Sequence, residues 1–364
     1  MKPHVKYSLL IKIFLLTLSP LCFSQSEVST TTTLSPQLLW KKDFSEVSDL
    51  HVGFARKSGD VLITYRDKNK SYGTILDKTG SEKMSNKTDL SWRIISGDGK
   101  VIIAYSGPSY GRFDTVHYLE NGEERWKQTL RADVFLSPDS LVVVDASNIM
   151  DEANLFIVTD SSGELLWSKQ LSCCLEPVFS PDSRYIAVNE PERATLYDMK
   201  GNLVVRKENE WFVYVSSNAF YLAGQAGVYS RTGRILFSSA AAVSDYGNIA
   251  VLSHDDKIEM KNLPAFSSAG IYDIRVSSSV GFAVPHYQLA LSCDGRYCVI
   301  LGKRTSDRDG GNFFVIDSGS GESWEKKIVF RKPEGIREAV IFFSRDGKKL
   351  MLFYDKKLEY YRVY

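Results

Sequence analysis

Four segments of the chain carry one pattern of apolar and polar positions: FLSPDSLVVV at 135–144, FSPDSRYIAV at 179–188, LSCDGRYCVI at 291–300 and FSRDGKKLML at 343–352. Each has a short apolar run, a Ser, a turn holding an acidic residue, and a second apolar run. Two apolar runs joined by Asp-Gly or Pro-Asp predict a β-hairpin. Related turns fall at Gly59-Asp60, Asp98-Gly99, Ser217-Asn218 and Tyr246-Gly247, the last two being the least regular. Most hairpins are followed by a second alternating pair, as at 115–130, 154–171 and 313–330. There the apolar positions flank an Asp/Asn-x-Gly-type turn, and a Trp sits on the outgoing strand (Trp126, Trp167, Trp324).

Four antiparallel strands recurring at roughly 40 residues predict the blade of a β-propeller. The fold expected is all-β, a single propeller of eight four-stranded blades, with seven as the alternative because the Ser217 and Tyr246 units are poorly marked. The last unit, 339–364, has room for three strands only. A fourth is available at 37–44 (QLLWKKDF), which resembles ELLWSKQL at 164–171. An N-terminal strand completing the C-terminal blade would close the ring and remove exposed sheet edges. The domain plan is then 1–24 signal peptide, 25–36 flexible Thr/Ser-rich leader and 37–364 propeller.

The outgoing-strand pattern Gly-Glu-Leu-Leu-Trp at 163–167, echoed at 37–40 and 122–126, resembles the repeat of the quinoprotein-like propellers. The SPDS and SxDG turns resemble those of WD40-like and YVTN-type propellers. The resemblance covers nearly all of 37–364, and it implies a fold shared by enzymes, scaffolds and assembly factors. In propellers of this strand order the turns within both hairpins share one rim. The loops between second and third strands, and those between blades, share the other. Binding tends to reside on irregular loops carried by a rigid scaffold. Candidate contact residues on that loop rim are Tyr110, Arg112, Asp151, Glu152, Arg193, Trp211, Arg304 and Arg308, since Arg and aromatic side chains are the usual anchors of interfaces.

Cysteine placement follows from the same plan. Beyond the signal region the chain has Cys173, Cys174, Cys293 and Cys298, an even number that suits disulfides in an exported protein. A bridge needs Cα atoms within roughly 7 Å, and the two rims are about 17 Å apart, so pairing across rims is not expected. Cys293–Cys298 is expected to staple its own hairpin. Cys173 and Cys174 would form a vicinal disulfide or remain two thiols. The resemblance to quinoprotein alcohol dehydrogenases would make that vicinal pair part of a pyrroloquinoline quinone site. The Glu, Asn and Asp set for the accompanying Ca²⁺ is not found, so no cofactor and no metal are expected.

Composition adds the compartment. Lys2, Lys6 and Lys12 precede an apolar run at 13–18 that resumes at 21–23, too short to span a bilayer, and Cys22-Phe23-Ser24 suits signal-peptidase cleavage. Export to a periplasm or the extracellular space is therefore expected. Removing residues 1–24, with their three lysines, takes the formal charge from +1 to −2. A near-neutral chain lacks the electrostatic footprint of a nucleic-acid binder. Catalytic signals are weak. Gly107-Pro108-Ser109-Tyr110-Gly111 spells G-x-S-x-G but opens into another strand rather than a helix. Residues 307–312 are rich in oxygen ligands without the later Glu of an EF-hand. The function expected is an exported, non-catalytic propeller, monomeric, that binds a protein, surface polymer or ligand through its loop rim. The alternatives are a propeller enzyme, either a quinone-dependent dehydrogenase or a channel-centred hydrolase or lyase, and an envelope assembly factor.

Overall fold

A computed structural model describes residues 34–364 apart from 68–69, 87–89, 107–113, 131–132, 147–153, 172–176, 239, 255–256, 277–288, 305–310 and 329–338. The described residues form strands, turns and a single 3₁₀ turn at Ser217–Ala219, with no α-helix among them. The strands build eight antiparallel sheets, seven of them with the strands of their main path in chain order. Sheets one to seven span 48–86, 91–130, 133–171, 178–208, 212–238, 240–272 and 274–328. Sheet eight joins Val340–Phe343, Lys349–Tyr354 and Lys357–Arg362 to Gln37–Asp43, which pairs antiparallel with Lys357–Arg362 from Gln37↔Arg362 to Asp43↔Lys357. The first strand of sheet seven is split. Ile274–Val276 and Leu289–Leu291 both pair with Tyr297–Arg304, a division that the single run 291–300 did not announce.

The two-residue period of each strand accounts for the packing. In sheet one, Val61 and Ile63 turn toward sheet eight while Leu62 turns toward sheet two. In sheet seven, Tyr297, Val299 and Leu301 face sheet eight, and Cys298 and Ile300 face sheet six. Because every sheet is apolar on both faces, each adjacent pair of sheets encloses its own core cluster. The cluster containing Val61, Met351, Leu358 and Tyr360 joins the last sheet to the first.

The repeated turn has a specific chemistry. Ser96, Ser180, Ser292 and Ser344 are buried, and each hydroxyl donates to the Asp two residues on. The same Ser oxygen accepts the backbone N–H five residues on, at 2.9–3.0 Å from Val101, Tyr185, Tyr297 and Lys349. The Asp in turn accepts a backbone N–H from the far arm, as from Lys100, Arg296 and Lys348. Turn backbone that would otherwise be buried without partners is thereby satisfied by two short side chains. Sheet five lacks the acidic residue and Gly. It turns instead through Asn218 and Ala219, both at positive φ, which is why its sequence signal was faint.

Candidate functional site

Two of the proposed contact residues come together on the loop rim. Arg193 opens the third strand of sheet four, and its Nε and Nη2 donate to both carboxylate oxygens of Glu190 at 2.6 and 2.9 Å. Trp211, on the connection from sheet four to sheet five, donates its indole N–H to the Glu190 carbonyl at 3.1 Å. Glu190 is buried and organises the pair; its only sequence signal is an acid three residues before an Arg. Arg304 ends the strand Tyr297–Arg304 at the same rim. Tyr110, Arg112, Asp151, Glu152, Arg308, Cys173 and Cys174 lie outside the described residues, as do the signal region and the G-x-S-x-G segment.

First strands of neighbouring sheets lie against one another. Between those of sheets eight, one and two lies a cleft of about 560 Å³, walled by Val52, Phe54, Ile94, Val340, Phe342 and Phe353. Its polar groups are His51, Arg93 and Lys356, the last on the loop-rim turn between Tyr354 and Lys357. His51 Nε2 is hydrogen-bonded to the Arg93 carbonyl. Burial lowers the His51 pKa, and the Arg93 charge adds to that against the opposing effect of the hydrogen bond, so its neutral form is favoured. Sequence reasoning missed this cleft because its walls have the same alternation as packed core.

The turn end is held differently. Arg56, in the first turn of sheet one, places Nη2 2.8 Å from Asp245 Oδ2 of sheet six and donates from Nε to the Phe343 carbonyl of sheet eight at 3.2 Å. Cys293 of sheet seven donates its thiol to the same Asp245 oxygen at 2.9 Å. One guanidinium thus ties sheet one to sheets six and eight, with Cys293 joined through their shared carboxylate. Burial disfavours the Arg56 charge, but Asp245 and Cys293 outweigh it and hold its pKa above the ordinary guanidinium value.

This arrangement corrects the expected Cys293–Cys298 bridge: both are free, buried thiols. Cys298 is the cross-strand partner of Leu291, not of Cys293, and is fully buried in the cluster between sheets six and seven. Cys293 lies beyond the paired segment, in the turn, with its sulfur toward Asp245.

Sheet two contains the connectivity of an acyl-transfer triad. His117 Nε2 is 2.7 Å from Ser106 Oγ, and its Nδ1 is 2.6 Å from Glu124 Oε2. The bond from His117 holds the Glu124 carboxyl below its ordinary range. Yet His117 is only 8% exposed, and none of the three residues lines any described cleft. A hydrolase needs a reacting carbonyl within about 3 Å of nucleophile and oxyanion donors alike. The relay as described ties together three strands of one sheet. Among the described residues no group of three or more His, Cys, Asp and Glu side chains could hold a metal ion. None of the described helices is long and apolar enough to cross a membrane.

Comparison with solved structures places the architecture. The chain is similar to BamB from Moraxella catarrhalis at TM-score 0.50 and 12% identity, over 90% of this chain and 100% of that one. It is similar to the Dos1 propeller at TM-score 0.51 and 14% identity, over 90% and 95%. The β-propeller domain of Cps50 (Swd1) from Myceliophteria thermophila aligns at TM-score 0.49 and 12% identity over 91% and 100%. The first two likenesses show a β-propeller fold. No protein-family model matches the chain, and no curated protein matches it significantly.

Proposed function

We propose that this protein is an exported, non-catalytic propeller of eight blades, its ring closed by the strand Gln37–Asp43, that binds partners through its loop rim. The observation that carries the reading is the open cleft of about 560 Å³ between the first strands of sheets eight, one and two. At the turn end, polar side chains are spent on one another: Ser on Asp, Asp on backbone, Arg56 on Asp245. Toward the loop end, half-buried apolar side chains line an open cleft, with exposed cations among them. A propeller fold suits such a platform, and the basic, then apolar, segment at 1–24 supports export.

The test is capture from the native host envelope by crosslinking, with the wild-type protein, the double variant Arg193→Ala/Trp211→Ala, and a turn-rim control, Lys100→Ala/Arg184→Ala. The expected result is a specific partner whose recovery falls about tenfold in the first variant, in the range of hot-spot losses, and is unchanged in the control. Equal recovery from all three proteins would overturn the assignment of the loop rim.

A further inference from the structure

The cleft between sheets eight, one and two has two properties seldom found in an idle surface groove. First, its walls are apolar and incompletely covered: Leu50, Val52, Ile94, Val340, Phe342 and Phe353 are all half-buried rather than buried. Phe54 and Phe342 stack at 5.9 Å, so the floor is a rigid aromatic pair. A volume of about 560 Å³ falls within the roughly 300–1,000 Å³ of small-molecule sites. Second, its charge is of one sign. Arg93 and Lys356 are exposed, and neither has a carboxylate partner among the described residues. Among the described residues no Asp or Glu lines the cleft. Lys356 Nζ donates to the Val47 carbonyl at 2.8 Å, which fixes it at the mouth and leaves its other two protons for a ligand.

An apolar trough rimmed by two unneutralised cations complements one kind of molecule. We propose that it binds an anionic amphiphile, a carboxylate on an acyl chain of fatty-acid type, with the chain along Val52, Phe54 and Phe342 and the carboxylate between Arg93 and Lys356. Arginine suits this role because its planar fork matches a carboxylate bidentately.

This inference rests on the reading of the loop rim as the binding face, and it is tested without any protein partner. The exported chain is titrated by calorimetry with dodecanoate below its micellar range, and with dodecanol and dodecyltrimethylammonium as neutral and cationic matches. Stoichiometry is read by native mass spectrometry. Expected are saturable 1:1 binding of dodecanoate, dodecanol weaker by about tenfold or more, and no binding of the cation. Arg93→Gln, an exposed change, should remove most of the preference for dodecanoate over dodecanol. Val52→Trp, which fills the trough, should abolish both, with its unfolding midpoint checked against wild type. No saturable binding, or equal affinity for dodecanoate and dodecanol, overturns the proposal. So does an Arg93→Gln protein that keeps the full preference. Partner capture that persists while dodecanoate fails would sink only this proposal. Dodecanoate binding that persists while capture is indifferent to the rim variants would sink only the partner-binding reading.

Discussion

A carboxylate withdrawn from water is tolerated when charge and hydrogen bonds replace what water supplied, and Glu359 shows how completely this is done between sheets seven and eight. It is ion-paired with Lys326, and it accepts from Tyr361 Oη at 2.6 Å and Tyr354 Oη at 2.9 Å. Lys326 also donates to Tyr361 Oη at 2.7 Å and lies over both tyrosine rings. Burial alone would raise the Glu359 pKa, but Lys326 and the two phenols prevail and hold it below the ordinary value. A depressed carboxylate contributes stability that is full above its unfolded pKa of about 4.3 and is lost as the pH falls through the folded value. Glu359→Gln should therefore cost about 2 kcal/mol at pH 7, and the gap from wild type should narrow below pH about 4. Urea unfolding at both pH values measures this; a gap independent of pH would mean that the charge contributes nothing. The cysteines give a second test at this scale. Burial raises both thiols far above the ordinary value, and at Cys293 the neighbouring Asp245 raises it further while Arg56 partly offsets it. In the chain from residue 25 onward carrying Cys173→Ser and Cys174→Ser, a disulfide-exchange reagent should titrate no thiol in the native protein and two in denaturant without reductant. A bridged pair would give none in either.

At the scale of elements, the tryptophans seen in the sequence act between sheets. Trp40, Trp126 and Trp167 sit on outer strands and donate their indole N–H to carbonyls in the second turn of the next sheet: Lys78, Ser161 and Met199. A glycine at positive φ lies beneath each ring (Gly80, Gly163, Gly201). A Cβ at Gly80 would come within 2.9 Å of the Trp40 ring, so the Asp-x-x-Gly turn is partly a seat for a neighbour's indole. Trp40 makes this contact from sheet eight to sheet one and stacks on Tyr360 at 5.0 Å. Deleting residues 37–43 should thus remove a pairing strand and a docking ring together. The truncated protein should unfold at markedly lower denaturant and self-associate through the uncovered edge 357–362, and a peptide of sequence QLLWKKDF in excess should restore the midpoint. Unchanged stability would mean that the strand is dispensable. Much of this architecture was legible in the sequence because the Ser and Asp of most first-hairpin turns, and the Trp of four outer strands, answer local backbone demands at fixed spacing. What was not legible depends on relations across sheets. Arg56 reaches Asp245 across 189 positions, Cys298 is buried in the cluster between sheets six and seven rather than bridged to Cys293, and Val52 and Phe342 differ from core only in lacking a cover.

For the whole molecule, the pairing of Gln37–Asp43 with Lys357–Arg362 has a kinetic consequence. Every other pairing within a sheet joins strands close in sequence, so the described topology is built from local contacts and one that spans almost the whole chain. Contacts of high sequence separation incur the loop-closure entropy before they return any stabilisation, and folding slows accordingly. Gln37 is already registered opposite Arg362, so a two-residue Asn-Gly turn placed after 362 and before 37 would convert the long-range pairing into a hairpin. A circular permutant joined there and opened between Ser45 and Glu46 keeps every strand and every Trp contact. It should have an unfolding midpoint close to that of a parent chain spanning 37–362, and it should refold faster, because the last pairing no longer waits for the ends to meet. Refolding by stopped flow, monitored by tryptophan fluorescence, measures the difference. Equal refolding rates would show that closure by 37–43 comes after the rate-limiting step.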